Sequence, residues 1–402
     1  MAHPRVRRKR IRRTIPILLA LLSLFAVAVA PVTRVAAASP AATPDLGTAL
    51  QARLEGIRAK YAIPGISVAI NFPDGTTWVG TAGVADVAAG TPVTPDTAFA
   101  VASISKTFTA ALVLALAQEG KLGLDVPADT YLPDLDLDRA ITVRQLLDHT
   151  SGLRDFFFGR GVDAALLAAP ERRWDAATSL GYVGKPYFKP GRGWHYSNSN
   201  YLILGILAER VGRAPLADQL RDRFIEPLGL EHTYYQPAGP PRGPVAHGYR
   251  FKSSAKDVAP VDLSDGTTIV PFTSVVTAAA GAGGVASTAS DLARWARALY
   301  DGTALREATV GAMVDDITRT ERYRPRLPYG LGVQAIDVIG HASLGHSGRL
   351  LGFRSVVRWL PDDGLAIAVL TNQSRTDPAI VVRALLRIAF ACDRVCAAAD
   401  RR

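Results

Sequence analysis

Ser103 and Lys106 stand three residues apart in FAVASISKTFTAALVLALAQEG, the stretch from Phe99 to Gly120. With a helix starting at about Ser103, they are neighbours on one face, their Cβ atoms roughly 5 to 6 Å apart. A hydroxyl and an amine at that spacing can share a hydrogen bond. A serine hydroxyl is a weak nucleophile until a base takes its proton, and a lysine serves as that base only after burial or cationic neighbours depress its pKa. From an ordinary value near 10.4, roughly one lysine in a few thousand is neutral at pH 7. The surroundings must therefore be dry. The run from Phe108 to Ala117 is apolar all the way round, as in a helix buried inside a large protein, and Gly120 stands where a C-terminal cap belongs. A second Ser-x-x-Lys, Ser253 to Lys256, lies in a polar stretch and opens no apolar helix, so it reads as a surface loop.

Two further polar triplets bear on the same chemistry. Tyr196-Ser197-Asn198 lies between a turn at Lys189-Pro190-Gly191 and an apolar helix, and a phenol with a carboxamide can relay a proton and bind an amide. His346-Ser347-Gly348 falls on a predicted strand whose glycine lets a substrate backbone approach closely. Taken singly, the first is also the pattern of a hydrogen-bonded helix start and the second that of a tight strand.

These residues need a scaffold, and the composition supplies one. The chain has 402 residues, 48% hydrophobic and 20% charged, enough for a large core. Residues 1 to 14 carry seven basic side chains and no acid, and Ile15 to Ala30 is an apolar run ending near Ala36-Ala37-Ala38. That is a secretory signal pattern, short for a membrane span of about 20 residues, so residues 1–38 are expected to be a signal peptide, 39–44 a linker and 45–402 one hydrolase domain. An uncleaved anchor is the alternative. Removing the eight basic residues of the first 38 lowers the formal charge from +10 to about +2, which leaves no nucleic-acid surface. Cys392 and Cys396 sit four apart at the end of the last helix, where a local disulfide is possible after export, and no Cys/His cluster accompanies them. No metal or cofactor is expected, and the chain is expected to be monomeric.

The element pattern is mixed. Asp45 to Tyr61 has helical periodicity, and ISVAIN and TTWVGTA flank a Pro73-Asp74-Gly75 turn as two strands. From Lys121 to about Gly281 the reading is mostly helical, with a capping box at Thr142 to Gln145, a helix from Asn200 to Arg210 closed by Gly212 and another from about Pro215 to Ile225; Thr288 then caps a helix over LARWARAL. YGLGVQAI, SLGHSG, FRSVVRWL and LAIAVLT then alternate with short turns, before Asp377-Pro378 opens a C-terminal helix to about Ala391. Short turns demand antiparallel pairing, so the N- and C-terminal strands should form one antiparallel sheet flanked by helices, an α+β arrangement with a helical region, about 121–281, inserted between them.

Ser-x-x-Lys on a buried helix, Tyr-x-Asn about 90 residues later and His-Ser-Gly on a late strand form an ordered set. In this set the chain resembles the serine β-lactamase and penicillin-binding carboxypeptidase superfamily, in its class C β-lactamase-like branch. It is most similar there to D-alanyl-D-alanine carboxypeptidases with His in place of Lys in the third motif. The resemblance covers about residues 45 to 390, including PGISVAI, LLDHTSGL, FKPGRGWHYSNSNYLILG and GAGGVASTASDLARWARAL.

The resemblance implies Ser103 as nucleophile, with Lys106 and Tyr196 sharing general base and acid duties. Asn198 would hold the substrate amide, and His346 and Ser347, with Gly348, would bind its carboxylate side and assist proton transfer. The His346 imidazole is expected to titrate at about 6.5, within the working range. The backbone N–H groups of Ser103 and Arg349 would form the oxyanion hole. Many members have a small residue or Gly where Arg349 stands, so this departure leaves the substrate open. Strand alternation sets Arg349 on the face of Ser347, where it would anchor a free carboxylate, the alternative being that it turns to solvent or pairs with a surface acid. His149, in HTSG, is expected to be structural. The implied substrates are D-alanyl peptides of peptidoglycan type and β-lactams, with a β-lactamase or a broad esterase as alternatives of the same chemistry. A penicillin-recognising module without turnover is a further class, disfavoured by the intact motifs.

Overall fold

The computed structural model describes residues 45–253 and 258–399; the expected signal peptide and linker, and Lys256, lie outside the described residues, as do the side chains of Cys392 and Cys396. Its centre is a seven-stranded antiparallel sheet in the order Thr91–Pro92, Thr77–Asp86, Gly65–Asn71, Leu365–Thr371, Phe353–Leu360, His341–Leu350, Gln334–Val338. The first and last parts of the chain meet at the middle of that sheet, where Val68 pairs with Val369 and Ala69 with Ala368. This is the closure expected from the short turns.

Both faces of the sheet are covered, and the strand sequences sort their side chains accordingly. Ile66, Val68, Ile367 and Val369 pack under two helices, Leu46–Tyr61 and Ala379–Ala399, through Leu50, Leu54, Leu385 and Leu386. The smaller Ala69, Ala366 and Ala368 face the other way. There the helix Ala289–Tyr300 lies close against the sheet, and Trp295 on it stacks on Phe108 of the central helix with ring centroids 4.1 Å apart.

The central helix runs from Ser105 to Gln118 and is buried at every residue from Ser105 to Leu116. Gly120, at φ +73°, ends it as expected. Its start differs from the sequence reading: Ser103 lies in a 3-10 turn, Ala102–Ile104, and the α-helix begins two residues later. Ala102 takes a left-handed φ of +51°, a conformation that costs a non-glycine residue energy and tightens the chain ahead of the serine.

The inserted region is helical for the most part, with corrections. Asn198–Gly212 begins two residues earlier than its apolar pattern, and its left-handed cap is Arg213 rather than Gly212. The helix after Pro215 is α-helical only over Leu216–Leu220 and continues as a π-helical turn, Arg221–Ile225. Short strands also occur there: Tyr234–Tyr235 joins Val285–Ser287 and Phe99–Ala100, and Tyr249–Arg250 pairs with Val261–Asp262. Two-residue strands carry too little periodicity to be seen in sequence. YGLGVQAI becomes a strand only from Gln334, because Gly332, at φ +78°, turns against the central helix so closely that a Cβ would lie 2.4 Å from that of Ala110.

Candidate active site

Lys106 is fully buried, and its Nζ donates three hydrogen bonds: to Ser103 Oγ at 3.1 Å, to Asn198 Oδ1 at 2.7 Å and to the Ala282 carbonyl at 2.8 Å. The rings of Tyr196 and Tyr201 lie 5.0 and 5.5 Å from it. Burial pulls its pKa down to about 7, and the charge of Asp155 opposes that pull. Near neutrality, a large share of Lys106 can therefore accept a proton from Ser103. Ser103 itself is half-buried and opens onto a cavity of about 820 Å³, shared with Tyr196, Asn198, Ser347 and Arg349.

The Tyr196 hydroxyl is buried and has no hydrogen bond of normal geometry. Burial drives its pKa up, and the adjacent Ser103 hydroxyl works against that shift. Tyr196 thus stays a phenol, able to donate a hydrogen bond or relay a proton that is replaced at once, but not to stand as a phenolate. His149 keeps it in place. The backbone N–H of His195 donates to the His149 carbonyl at 3.1 Å, that of Ser197 donates to His149 Nδ1 at 3.2 Å, and the His149 ring lies 4.3 Å from the Tyr196 ring. His149 is fully buried and held neutral by burial, so its structural assignment has a definite content: it grips the backbone on both sides of Tyr196.

Asn198 lines the cavity, but both ends of its amide are engaged. Its Oδ1 accepts from Lys106 and its Nδ2 donates to Asp155 Oδ2 at 2.7 Å. Asp155, buried in the turn after HTSG, was not singled out in the sequence. A lone aspartate in a loop carries no spacing signal.

On strand His341–Leu350, side chains alternate as the pleat requires. His346 and Gly348 are buried, whereas Ser347 is half-buried and Arg349 exposed. A Cβ on Gly348 would lie 2.3 Å from the Val101 carbonyl, so glycine is what lets this strand touch the turn holding Ser103. Gln334 Oε1 accepts from Ser347 N–H at 3.1 Å, from Ser347 Oγ at 3.2 Å and from buried Arg358 at 3.0 Å. Arg349 pairs in register with Arg354 on the next strand, and both line the cavity.

His346 departs from expectation. Its Nδ1 faces the Ser347 carbonyl at 2.7 Å and its Nε2 the Tyr329 hydroxyl at 3.0 Å. Burial, with the charges of Lys106 and Arg358, drives its pKa down to about 3. An imidazole near 6.5 requires solvent, and this one has none, so it stays neutral across the working range.

Ser253, the serine of the second Ser-x-x-Lys, is exposed as expected for a surface loop. A second cavity, about 780 Å³ and lined by Leu135, Leu153, Phe188 and Ile203, brings Ser151 and Ser199 to its wall, but both hydroxyls donate elsewhere, to Asn200 and to the Arg154 carbonyl. Asp86, His247 and Asp262 bring one ligand atom each within 4.8 Å of one another, and none of them lines the Ser103 cavity.

The family model described as Beta-lactamase matches residues 50–390. The chain belongs to this family. Members of the beta-lactamase family that it is similar to include penicillin-binding protein 4 of Amycolatopsis lactamdurans, 30% identical over 341 residues, which are 80% of this chain and 84% of that one. Penicillin-binding protein 4* of Bacillus subtilis (strain 168) is 30% identical over 297 residues, 72% of this chain, and the chain spans only 64% of that relative's length. Among solved structures, a D-stereospecific amidohydrolase from Streptomyces sp. superposes with a TM-score of 0.72 at 28% identity, over 85% of this chain and 98% of that one. The chain is thus a serine hydrolase of the beta-lactamase and penicillin-binding superfamily, with the mixed antiparallel fold read from its sequence.

Proposed function

We propose that the chain is an exported D-alanyl-D-alanine carboxypeptidase that forms an acyl-enzyme through Ser103 and acts on peptidoglycan-type peptides. In this reading neutral Lys106 takes the Ser103 proton as Oγ bonds to the scissile carbonyl carbon. The carbonyl π pair moves onto oxygen, facing the backbone N–H groups of Ser103 and Arg349. The tetrahedral carbon then expels the D-alanine nitrogen, which leaves as an amine after taking the proton held by Lys106, directly or relayed through the Tyr196 hydroxyl. Water repeats the attack on the ester and frees Ser103. His346, neutral, orients Ser347 and does not supply a charge.

One observation supports the substrate side. Arg349 and Arg354 face each other across adjacent strands at the cavity, and neither has a carboxylate within salt-bridge distance among the described residues. Like charges placed directly opposite are unfavourable in a sheet, so an anion between them is the natural complement. A C-terminal carboxylate is that anion. Charge-assisted hydrogen bonds of this kind contribute about 1.5 to 3 kcal/mol. Arg349→Ala should therefore slow turnover of peptides ending in free D-alanine roughly ten- to a hundred-fold, leaving p-nitrophenyl acetate nearly untouched. Equal losses on both would instead point to a damaged oxyanion hole; no loss on either would assign Arg349 to the surface.

Likeness to the D-stereospecific amidohydrolase from Streptomyces sp. supports a second reading, hydrolysis of D-configured amides without a terminal carboxylate. There Arg349→Ala would not distinguish amide from ester. For export, N-terminal sequencing of the mature protein should begin after about residue 38.

A further inference from the structure

Asp155 is 2% exposed and stands before the short turn Phe156–Phe158. Its Oδ1 accepts from the Phe157 N–H at 3.0 Å, which fixes the carboxylate, and its Oδ2 accepts from Asn198 Nδ2 at 2.7 Å. Asn198 Oδ1 in turn accepts from Lys106 Nζ at 2.7 Å. Carboxylate, amide and amine thus form one continuous chain reaching the Ser103 hydroxyl.

Burial raises the Asp155 pKa, opposed by the bonds from Phe157 and Asn198 and by the charge of Lys106; as the carboxylate, Asp155 fixes the order of that chain. A carboxylate only accepts, so the amide must turn its NH2 toward Asp155 and its carbonyl toward Lys106. The reverse orientation sets NH2 against the ammonium and carbonyl against the carboxylate. Asp155 also differs from everything else around Lys106. The other titratable groups facing the amine are Tyr196 and Tyr201, both phenols, and His149 and His346, both neutral. Asp155 is the carboxylate whose charge is felt at Lys106.

We propose that Asp155 is a positioning residue which, through Asn198, orients Lys106 and stabilises the ammonium that forms when Lys106 takes the Ser103 proton. Asp155 neither gains nor loses a proton in that step; the proton moves from Oγ to Nζ as the Oγ–carbon bond forms. The inference rests on the reading of Ser103 and Lys106 as nucleophile and base. It also gives Asn198 a role the resemblance did not carry: its carbonyl serves the lysine, and one N–H of its amide is left for the substrate.

The test uses the pH dependence of kcat/KM on p-nitrophenyl acetate, a substrate without ionisable groups. Activity requires neutral Lys106, so it rises with pH through a limb that belongs to the enzyme. Asp155→Asn keeps the shape and an oxygen for Asn198 but removes the charge that favours the ammonium. The limb should move to lower pH, kcat should fall about ten- to a hundred-fold, and KM should change little because Asp155 does not line the cavity. An unmoved limb, or a loss confined to KM, would overturn the inference. If Asp155→Asn does not fold, Asp155→Glu keeps the charge on a longer stem and should hold the limb while lowering kcat; a shifted limb in that variant would likewise overturn it. Ser103→Ala and Lys106→Ala separate the levels. If either retains acyl transfer, the reading of the site fails; if both are dead and the Asp155 variants keep the wild-type limb, only this inference does.

Discussion

Lys106 spends all three of its ammonium protons on named acceptors, and when it is neutral its lone pair can only face the one partner that is itself a donor, the Ser103 hydroxyl. The same burial that makes this lysine a base makes His346 inert. A neutral His346 means that the activity limb near pH 7 belongs to Lys106. His346→Asn should accordingly lower turnover while the limb stays within a few tenths of a pH unit. A limb that disappears would return the titration to His346. Residue types and spacing made Ser103, Lys106, Tyr196 and His346 legible as a group, but not their protonation. That depends on the buried neighbours Asp155, Tyr329 and Arg358, which are scattered through the chain and carry no shared motif.

At the scale of elements, the site is a contact between a turn and a strand. The 3-10 turn Ala102–Ile104 meets the strand His341–Leu350 at Gly348, where Ser355 Oγ, which donates to the Val101 carbonyl at 2.7 Å, lies 2.1 Å from where a Cβ would sit. Gly348→Ala must push the strand away from the nucleophile. Overpacking of this kind typically costs about 1 to 3 kcal/mol, so urea unfolding should show that loss, together with a fall in kcat out of proportion to it. Wild-type stability and turnover would mean that the two elements are not held this closely. The long strands were readable from alternation and turns, and FRSVVRWL and LAIAVLT match their observed bounds, Phe353–Leu360 and Leu365–Thr371. The start of the central helix was not, because the 3-10 turn that displaces it depends on the left-handed Ala102, for which alanine gives no signal.

The whole molecule sets a pH dependence of its own. His346 has a folded pKa of about 3 against an ordinary 6.5, so between those values the unfolded chain binds more protons than the folded one, and the stability associated with this residue is lost as pH falls below 6.5. Buried acids such as Asp316, raised by burial and the nearby Asp148 charge, act in the opposite sense over part of that range. Comparing variants cancels them. Between pH 7.5 and 5, the Tm of wild type should fall further than that of His346→Asn; parallel curves would mean that His346 titrates alike in both states. The two-ended construction of the sheet was visible in the sequence because its strands lie at both ends of the domain with short turns, whereas the small sheets near residues 99, 235 and 286 depend on tertiary contact. Every step of the proposed chemistry depends on Ser103 as the nucleophile of one site. Intact-mass spectrometry after mixing with benzylpenicillin, followed in time and by peptide mapping, tests it most directly: a single covalent adduct on the peptide containing Ser103, absent from Ser103→Ala, is the predicted result, and an adduct elsewhere, or one that survives Ser103→Ala, contradicts it.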